Sequence, residues 1–175
     1  MRRSPKHDPQ RSEVYAWERR FRNCAVGDMG TRAFYRMLRR VCKEYRVPRP
    51  RCMPLWANEY REGFAAVCDS ENKALRFDPR WCTASVLLHE LAHWIVFRYG
   101  GTGAHNALWL GIYLRLKAKY KVLPLDASIP SAKKAGLQFL PPEKCTPAML
   151  KTAKRLALQP SSRALAGPKR KPTRA

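Results

Sequence analysis

Acidic side chains are scarce in this chain: 13 Asp and Glu stand against 35 Lys and Arg, for a formal net charge of +22. That excess is larger than solubility needs, argues against cationic partners and predicts attraction to polyanions, of which nucleic acid is the commonest. Long apolar runs are also missing. No stretch approaches the ~18 to 20 apolar residues that cross a bilayer, and Met1 to Asp8 is not followed by the hydrophobic segment of a secretory signal. The expected location is the cytoplasm, without membrane contact. Cysteine pairing at ribbon spacing is absent too, since Cys24, Cys42, Cys52, Cys68, Cys82 and Cys145 include no C-x-x-C. This excludes a four-cysteine zinc ribbon and, without an export signal, points to free thiols. Histidine is rare, with only His7, His89, His93 and His105.

Against that scarcity, Leu87 to His93 reads Leu-Leu-His-Glu-Leu-Ala-His, an H-E-x-x-H. On a helix, residues four apart lie one turn apart on the same face, so His89 and His93 can reach one ion. Glu90 lies roughly 100° round the helix. From there its carboxylate reaches a water at the same site more easily than the ion itself, the arrangement of zinc peptidases. The pentapeptide alone also fits a buried helix whose two histidines are hydrogen-bonded into the core, so a third ligand has to decide.

Catalytic zinc takes three protein ligands and keeps one position open. No acidic residue occurs between Glu90 and Asp126, Tyr99 stands six residues after His93, and Val96 stands where metzincins have glycine. A glutamate from a following helix and the metzincin pattern are both disfavoured. The histidine that remains downstream is His105, just after Tyr99-Gly100-Gly101-Thr102-Gly103, whose glycines permit a tight reversal. His105, Leu108, Trp109, Ile112, Leu116 and Tyr120 follow helical spacing, so His105 is expected to open a helix on its inward face. The expected metal ligands are therefore His89, His93 and His105 around Zn2+, with Glu90 as catalytic base.

The segment Phe77 to Leu116, with its His-Glu-Leu-Ala-His helix, glycine-rich link and His105 followed by Leu108-Trp109-Leu110, resembles the SprT-like zinc metallopeptidases, including small versions from bacteria and their viruses. The resemblance implies a zincin-like fold and proteolysis of DNA-associated proteins. It also implies that a strand of the sheet borders the cleft, where a peptide can add by β-augmentation. Some larger relatives carry a C-terminal zinc ribbon; only Cys145 lies beyond the catalytic segment here, so none is expected.

With 45 % hydrophobic and 10 % aromatic residues the chain can bury one core. Three parts are expected. Residues 1–12 read as a disordered basic arm, residues 13–158 as the zincin-like metallopeptidase domain and residues 159–175 as a disordered basic tail. The arm carries four basic and one acidic side chain and the tail five basic, which leaves +14 on the domain. The expected fold class is α+β: N-terminal helices, a small antiparallel three-stranded sheet, the H-E-x-x-H helix and a following helix carrying the third ligand. Val14, Trp17 and Phe21 mark a first helix begun near Ser12. Thr31 to about Tyr45 forms a second with Arg32, Arg36, Arg39, Arg40 and Lys43 outside. Phe64–Cys68 and Lys73–Phe77 form a hairpin across Asp69-Ser70-Glu71-Asn72, with Cys52 to Ala57 as a third strand. Thr83 caps the metal helix, Pro124, Pro130, Pro141 and Pro142 mark a loop-rich section, and Thr146-Pro147 starts a last helix.

Function follows as a zinc-dependent metalloendopeptidase on a protein substrate, with nucleic acid bound through a non-specific basic surface. Tyr99, Tyr113 or an arginine is the expected stabiliser of the oxyanion. The alternative is a basic nucleic-acid-binding protein with a structural zinc or a vestigial peptidase site. Glu90 weighs against it, because a structural site has no use for that carboxylate.

Overall fold

The computed structural model describes residues 8, 10–21, 29–61, 65–78, 80, 83–101 and 104–158. Two helices, α1 (Arg11–Arg19) and α2 (Thr31–Glu44), precede strand β1 (Arg51–Pro54), the short helix α3 (Ala57–Arg61), and strands β2 (Ala66–Asp69) and β3 (Ala74–Phe77). Helices α4 (Ala84–Arg98), α5 (Ala107–Lys119), α6 (Leu125–Lys134) and α7 (Pro147–Leu158) complete an α+β chain. Among the described residues no helix is long and apolar enough to cross a membrane.

The sheet is mixed, which corrects the expected antiparallel three-stranded sheet. β2 and β3 do form the antiparallel hairpin, with Ala66 opposite Phe77 and Asp69 opposite Ala74. β1 instead runs parallel to β3, Arg51 opposite Ala74 and Pro54 opposite Phe77, giving the order β1-β3-β2. Connectivity is the reason: the chain leaves β1 through α3 and β2 before reaching β3, and such a crossover delivers a parallel neighbour. The third strand is also shorter than expected. It stops at Pro54, and the Trp56 amide donates to Glu59 Oε2 at 2.8 Å to start α3.

One buried cation ties this unit together. Arg76 of β3 donates from Nε to Glu59 Oε2 at 3.0 Å, bonds Asp69 of β2 through Nη1, and carries the Trp56 ring 3.8 Å from its guanidinium. A guanidinium with two carboxylates is the satisfied form of a buried charge.

α4 is apolar around most of its circumference and lies at the centre of the molecule, packed on α2, α5 and β2. Leu87, Leu88, Leu91, Trp94 and Ile95 are fully buried in the core. As the sequence indicates, the Thr83 hydroxyl caps its start, accepting from the Val86 amide at 3.2 Å. Gly100 ends it at φ +87°, with the Gly101 amide donating to Val96 O at 2.9 Å and the Gly100 amide to Phe97 O at 3.0 Å. This pair of bonds is a Schellman cap, and it turns the chain towards α5.

Several local expectations shift. α1 starts at Arg11, inside the stretch expected to be a disordered arm, and Asp8 and Gln10 hydrogen-bond to the body; residues 1–7 and 159–175 lie outside the described residues. The section around Pro130 is the helix α6, not a loop. Pro130 removes one intrahelical bond, but Ser128 and Ala132 bury one face and Trp17 Nε1 donates to Ser131 Oγ at 3.1 Å. Tertiary packing thus outweighs the proline. Cys42, Cys52, Cys68 and Cys145 are free thiols, whereas Cys24 and Cys82 lie outside the described residues.

Gly111 of α5 faces the returning segment so closely that a Cβ there would sit 2.5 Å from Leu140 O and 2.6 Å from Cys145 Sγ. Backbone cannot yield as a flexible side chain can. Gly111→Ala should therefore lower unfolding stability by roughly 1–3 kcal/mol despite the better helix propensity of alanine, as read from urea midpoints. A stabilised variant would show that the 140–145 segment moves freely.

Candidate metal centre

His89 and His93 occupy successive turns of α4, and their Nε2 atoms lie 3.2 Å apart. His105 arrives from the other side of the α4–α5 link with its Nε2 3.2 Å from that of His89. The ligand atoms of all three rings fall within 4.8 Å of one another. Three nitrogens held tetrahedrally at roughly 2.0–2.1 Å from one ion would stand about 3.3 Å apart. The observed spacing fits.

The outward-facing nitrogens explain why the inner ones can bind a cation. His105 Nδ1 lies 2.6 Å from Asp8 Oδ2, and His89 Nδ1 lies 3.1 Å from Glu18 Oε1. A nitrogen facing a carboxylate carries the proton, so each Nε2 presents a lone pair. At 3.2 Å two such nitrogens either share a proton or hold a cation between them. Trp109 backs the cluster, its ring centroid 4.5 to 4.9 Å from each imidazole. Tyr15 of α1 covers it from the front, stacked on His89 at 5.8 Å and edge-on to His105 at 5.3 Å.

His105 does not open α5. Asn106 is the cap, its side chain accepting from the Trp109 amide at 2.9 Å, and His105 stands one residue earlier. There its amide is outside the helix and donates to Asp8 Oδ1 at 3.1 Å. The ligand is thus held by a segment 97 residues away in sequence, not by a helix face.

Glu18 is the hub behind His89. It also accepts from the Tyr113 hydroxyl, which lies 3.2 Å from Ser85 Oγ. Lys117, in the last turn of α5, is buried with its Nζ 4.7 Å from the Tyr113 ring and 5.3 Å from that of Trp17. Burial works against the Glu18 charge, but His89, Tyr113 and Lys117 outweigh it and hold the carboxyl down to about 2. Burial likewise opposes a charged His89, yet Glu18 overrides it and raises the imidazole pKa. His105 moves down, by burial first and then by the nearby His89 charge.

Glu90 follows His89 on α4 and is buried beside the cluster without joining it. Burial pushes its carboxyl up to about 7, against the pull of His89 and a hydrogen bond from the Cys68 amide of β2. The Tyr15 hydroxyl lies in its field and is hydrogen-bonded by Arg11; burial first and Glu90 second push that hydroxyl up to about 12.

All four residues singled out from sequence therefore meet here, three as a ligand set and Glu90 beside it. Tyr99 and Tyr113 do not serve as free donors: Tyr99 gives its hydroxyl to Tyr45 O at 2.8 Å, and Tyr113 is committed to Glu18. Tyr15, Glu18 and Asp8 were missed. A signal existed for Glu18, which lies four residues after Val14 and so shares the inward face of α1. Asp8 had none. Comparison with protein-family models, curated proteins and solved structures finds no match to this chain.

His93→Ala and His105→Ala should each reduce bound metal from one ion per chain to near zero, by elemental analysis of dialysed protein; full occupancy in His105→Ala would remove that residue from the site. Glu18→Gln keeps all three ligands but weakens the anchor of His89, so metal affinity should drop about 10- to 100-fold in competition with a chelator. Unchanged affinity would show that Glu18 serves packing alone.

Proposed function

We propose that the protein is a zinc-dependent endopeptidase of SprT-like, zincin-like type acting on proteins held at nucleic acid. The observation that carries this reading is Glu90: a buried carboxylate next to a three-histidine cluster, with its pKa raised to about 7 by burial. A site built only to brace the fold has no need of such a base and commonly uses four ligands.

His89, His93 and His105 would hold the zinc, which when bound supplies a Lewis acid for water and for the scissile carbonyl. Glu90 takes the proton of the attacking water and returns it to the leaving amine, a transfer favoured by a carboxyl poised near neutrality. Its oxygen is aimed by the Cys68 amide, which couples the base to strand β2. Tyr15 is the hydroxyl best supported as an oxyanion donor, since it covers His89 and His105 and shares the field of Glu90.

Among the described residues β2 is an edge strand, paired with β3 alone. The Asp78 amide bonds Ala65 O at 3.0 Å, and by the alternation of antiparallel pairs Ala66 and Cys68 turn their backbone groups away from β3. Cys68 spends its amide on Glu90, while its carbonyl and both groups of Ala66 offer a ladder to an extended peptide. A substrate paired there lies beside the base. The nucleic-acid part rests on the +22 charge and on the exposed Arg32, Arg36, Arg39, Arg40 and Lys43 of α2.

Glu90→Gln should retain fold and zinc yet lose nearly all peptide hydrolysis, measured on an unfolded protein substrate with and without DNA. Turnover near the wild-type rate would overturn the mechanism. Deleting residues 159–175 should weaken DNA binding and flatten its salt dependence while DNA-independent hydrolysis stays unchanged; equal DNA affinity at all salt concentrations would place the binding charge elsewhere.

A further inference from the structure

A cavity outside the metal centre lies at the C-terminal end of α4, and three of its lining side chains are basic. It measures about 770 Å³ and is bordered by Arg46, Arg98 and Lys151, with Tyr99 and the start of α7 at Thr146. That volume falls within the roughly 300–1,000 Å³ of ligand pockets. Its one acid, Glu44, is already neutralised by Lys119 Nζ at 2.8 Å and by Arg115 at 3.8 Å. With that acid paired, the hollow joins a mostly apolar lining to three basic side chains, which suits an anion with apolar parts and not a cation.

A smaller concavity of about 220 Å³ opens further along the segment Arg46-Val47-Pro48-Arg49-Pro50, lined by Arg39, Arg49 and Tyr35. Pro48 borders the larger hollow and Pro50 the smaller. The segment between them is rigid: its prolines fix φ, and Trp94 Nε1 donates to Pro48 O at 2.8 Å. Arg46 holds a left-handed φ of 51°, the conformation that lets the chain leave α2 sharply at this point. Tyr35 is 43 % exposed and steadied edge-on by Phe34 at 5.4 Å. Basic side chains lining both hollows, with an exposed aromatic ring beside the smaller, suit a chain of phosphates with a base stacked on the ring.

We propose that these two hollows form one track for single-stranded nucleic acid, with phosphodiesters held by Arg46, Arg98 and Lys151 in the larger hollow and a base stacked on Tyr35 in the smaller. The proposal rests on the nucleic-acid part of the function above and assigns it a place. Arg98 stands five residues beyond His93, about 7.5 Å along the α4 axis at 1.5 Å per residue. Five residues at about 100° each also turn Arg98 roughly 140° round the axis, so strand and metal centre lie on different faces of one helix. Phosphates in the track do not compete for the metal, and a protein attached to the strand is brought near the cleft without nucleic acid filling it.

The test uses the full chain and a labelled oligothymidylate, with a duplex of equal length, titrated by fluorescence anisotropy from low to physiological salt. Arg46→Gln, Arg98→Gln and Lys151→Gln combined should lower single-strand affinity and reduce the log–log salt slope by about 2, at about 0.7 per lost phosphate contact. The matched control, Lys133→Gln, Lys134→Gln and Lys144→Gln, removes three exposed cations elsewhere and should change the slope little. Tyr35→Ala should weaken the single strand and leave the duplex unaffected. Lys151→Gln alone, at an exposed position, should give a slope change near 0.7 and guards against a folding defect in the triple variant. Equal losses in the control and the cavity variant would overturn the track in favour of diffuse charge. If inorganic phosphate protects the wild type against thermal unfolding and the cavity variant is not protected, while both bind the oligonucleotide equally, the hollow holds free phosphate and the nucleic-acid assignment falls. If the wild type binds neither nucleic acid, the track and the DNA part of the proposed function both fall, and hydrolysis dependent on Glu90 still stands on its own.

Discussion

Three imidazoles converge on one point, His93 Nε2 and His105 Nε2 each 3.2 Å from His89 Nε2, a spacing that could hold one cation. Much of the architecture exists to keep them there. α4 presents His89 and His93 from successive turns, the glycine cap at Gly100 and Gly101 folds the chain back, and His105 is delivered just ahead of α5. α1 and the residue preceding it supply the carboxylates that set which nitrogen keeps its proton. Without those anions the rings could turn over or shift tautomer, and the shared point would be lost.

Glu18 and Glu90 show how one functional group is driven to two states within one site. Glu18 is surrounded by His89, the Tyr113 hydroxyl and the buried Lys117, and remains ionised to about 2. Glu90 has its burial and the repulsion of Glu18 against the pull of His89 and one amide from Cys68, and rises to about 7. The first is fixed as an anchor and the second can exchange protons near neutral pH. Lys117 is the complement of Glu18; a buried ammonium between Trp17 and Tyr113 is tolerable because an anion lies close by. The arrangement around Arg76 follows the same rule on the sheet side, where Glu59 and Asp69 enclose one guanidinium and keep β2 in register beside Glu90.

The sequence was most legible where chemistry is local. His89, Glu90 and His93 are readable because helical periodicity alone places them, and Thr83 and Thr146-Pro147 because capping needs only neighbouring residues. His105 was reachable by elimination among four histidines, though its placement in a helix was not right: Asn106 makes the better cap and Asp8 holds the histidine outside it. The sheet was harder. Alternation and a polar turn identify the hairpin, but whether β1 joins it parallel or antiparallel depends on where the crossover through α3 sends the chain. Pro130 misled in the same way, since a missing hydrogen bond is visible in sequence while the packing of Ser128 and Ala132 that outweighs it is not.

Spacing and counting alone yield the local and compositional facts: a helix carrying two histidines and a glutamate on adjacent faces, one further histidine in reach, and a cationic surplus of +22. Each follows from spacing or counting, which need no knowledge of distant residues. Only the tertiary structure decided which carboxylates stand behind the histidines, that Tyr15 and not Tyr99 or Tyr113 faces the site, that β2 is the edge beside Glu90, and that Lys117 is buried. These depend on pairs such as Asp8 with His105 and Glu18 with His89, 97 and 71 residues apart. Contacts of that length are set by how whole elements pack, and no periodicity in the chain encodes them.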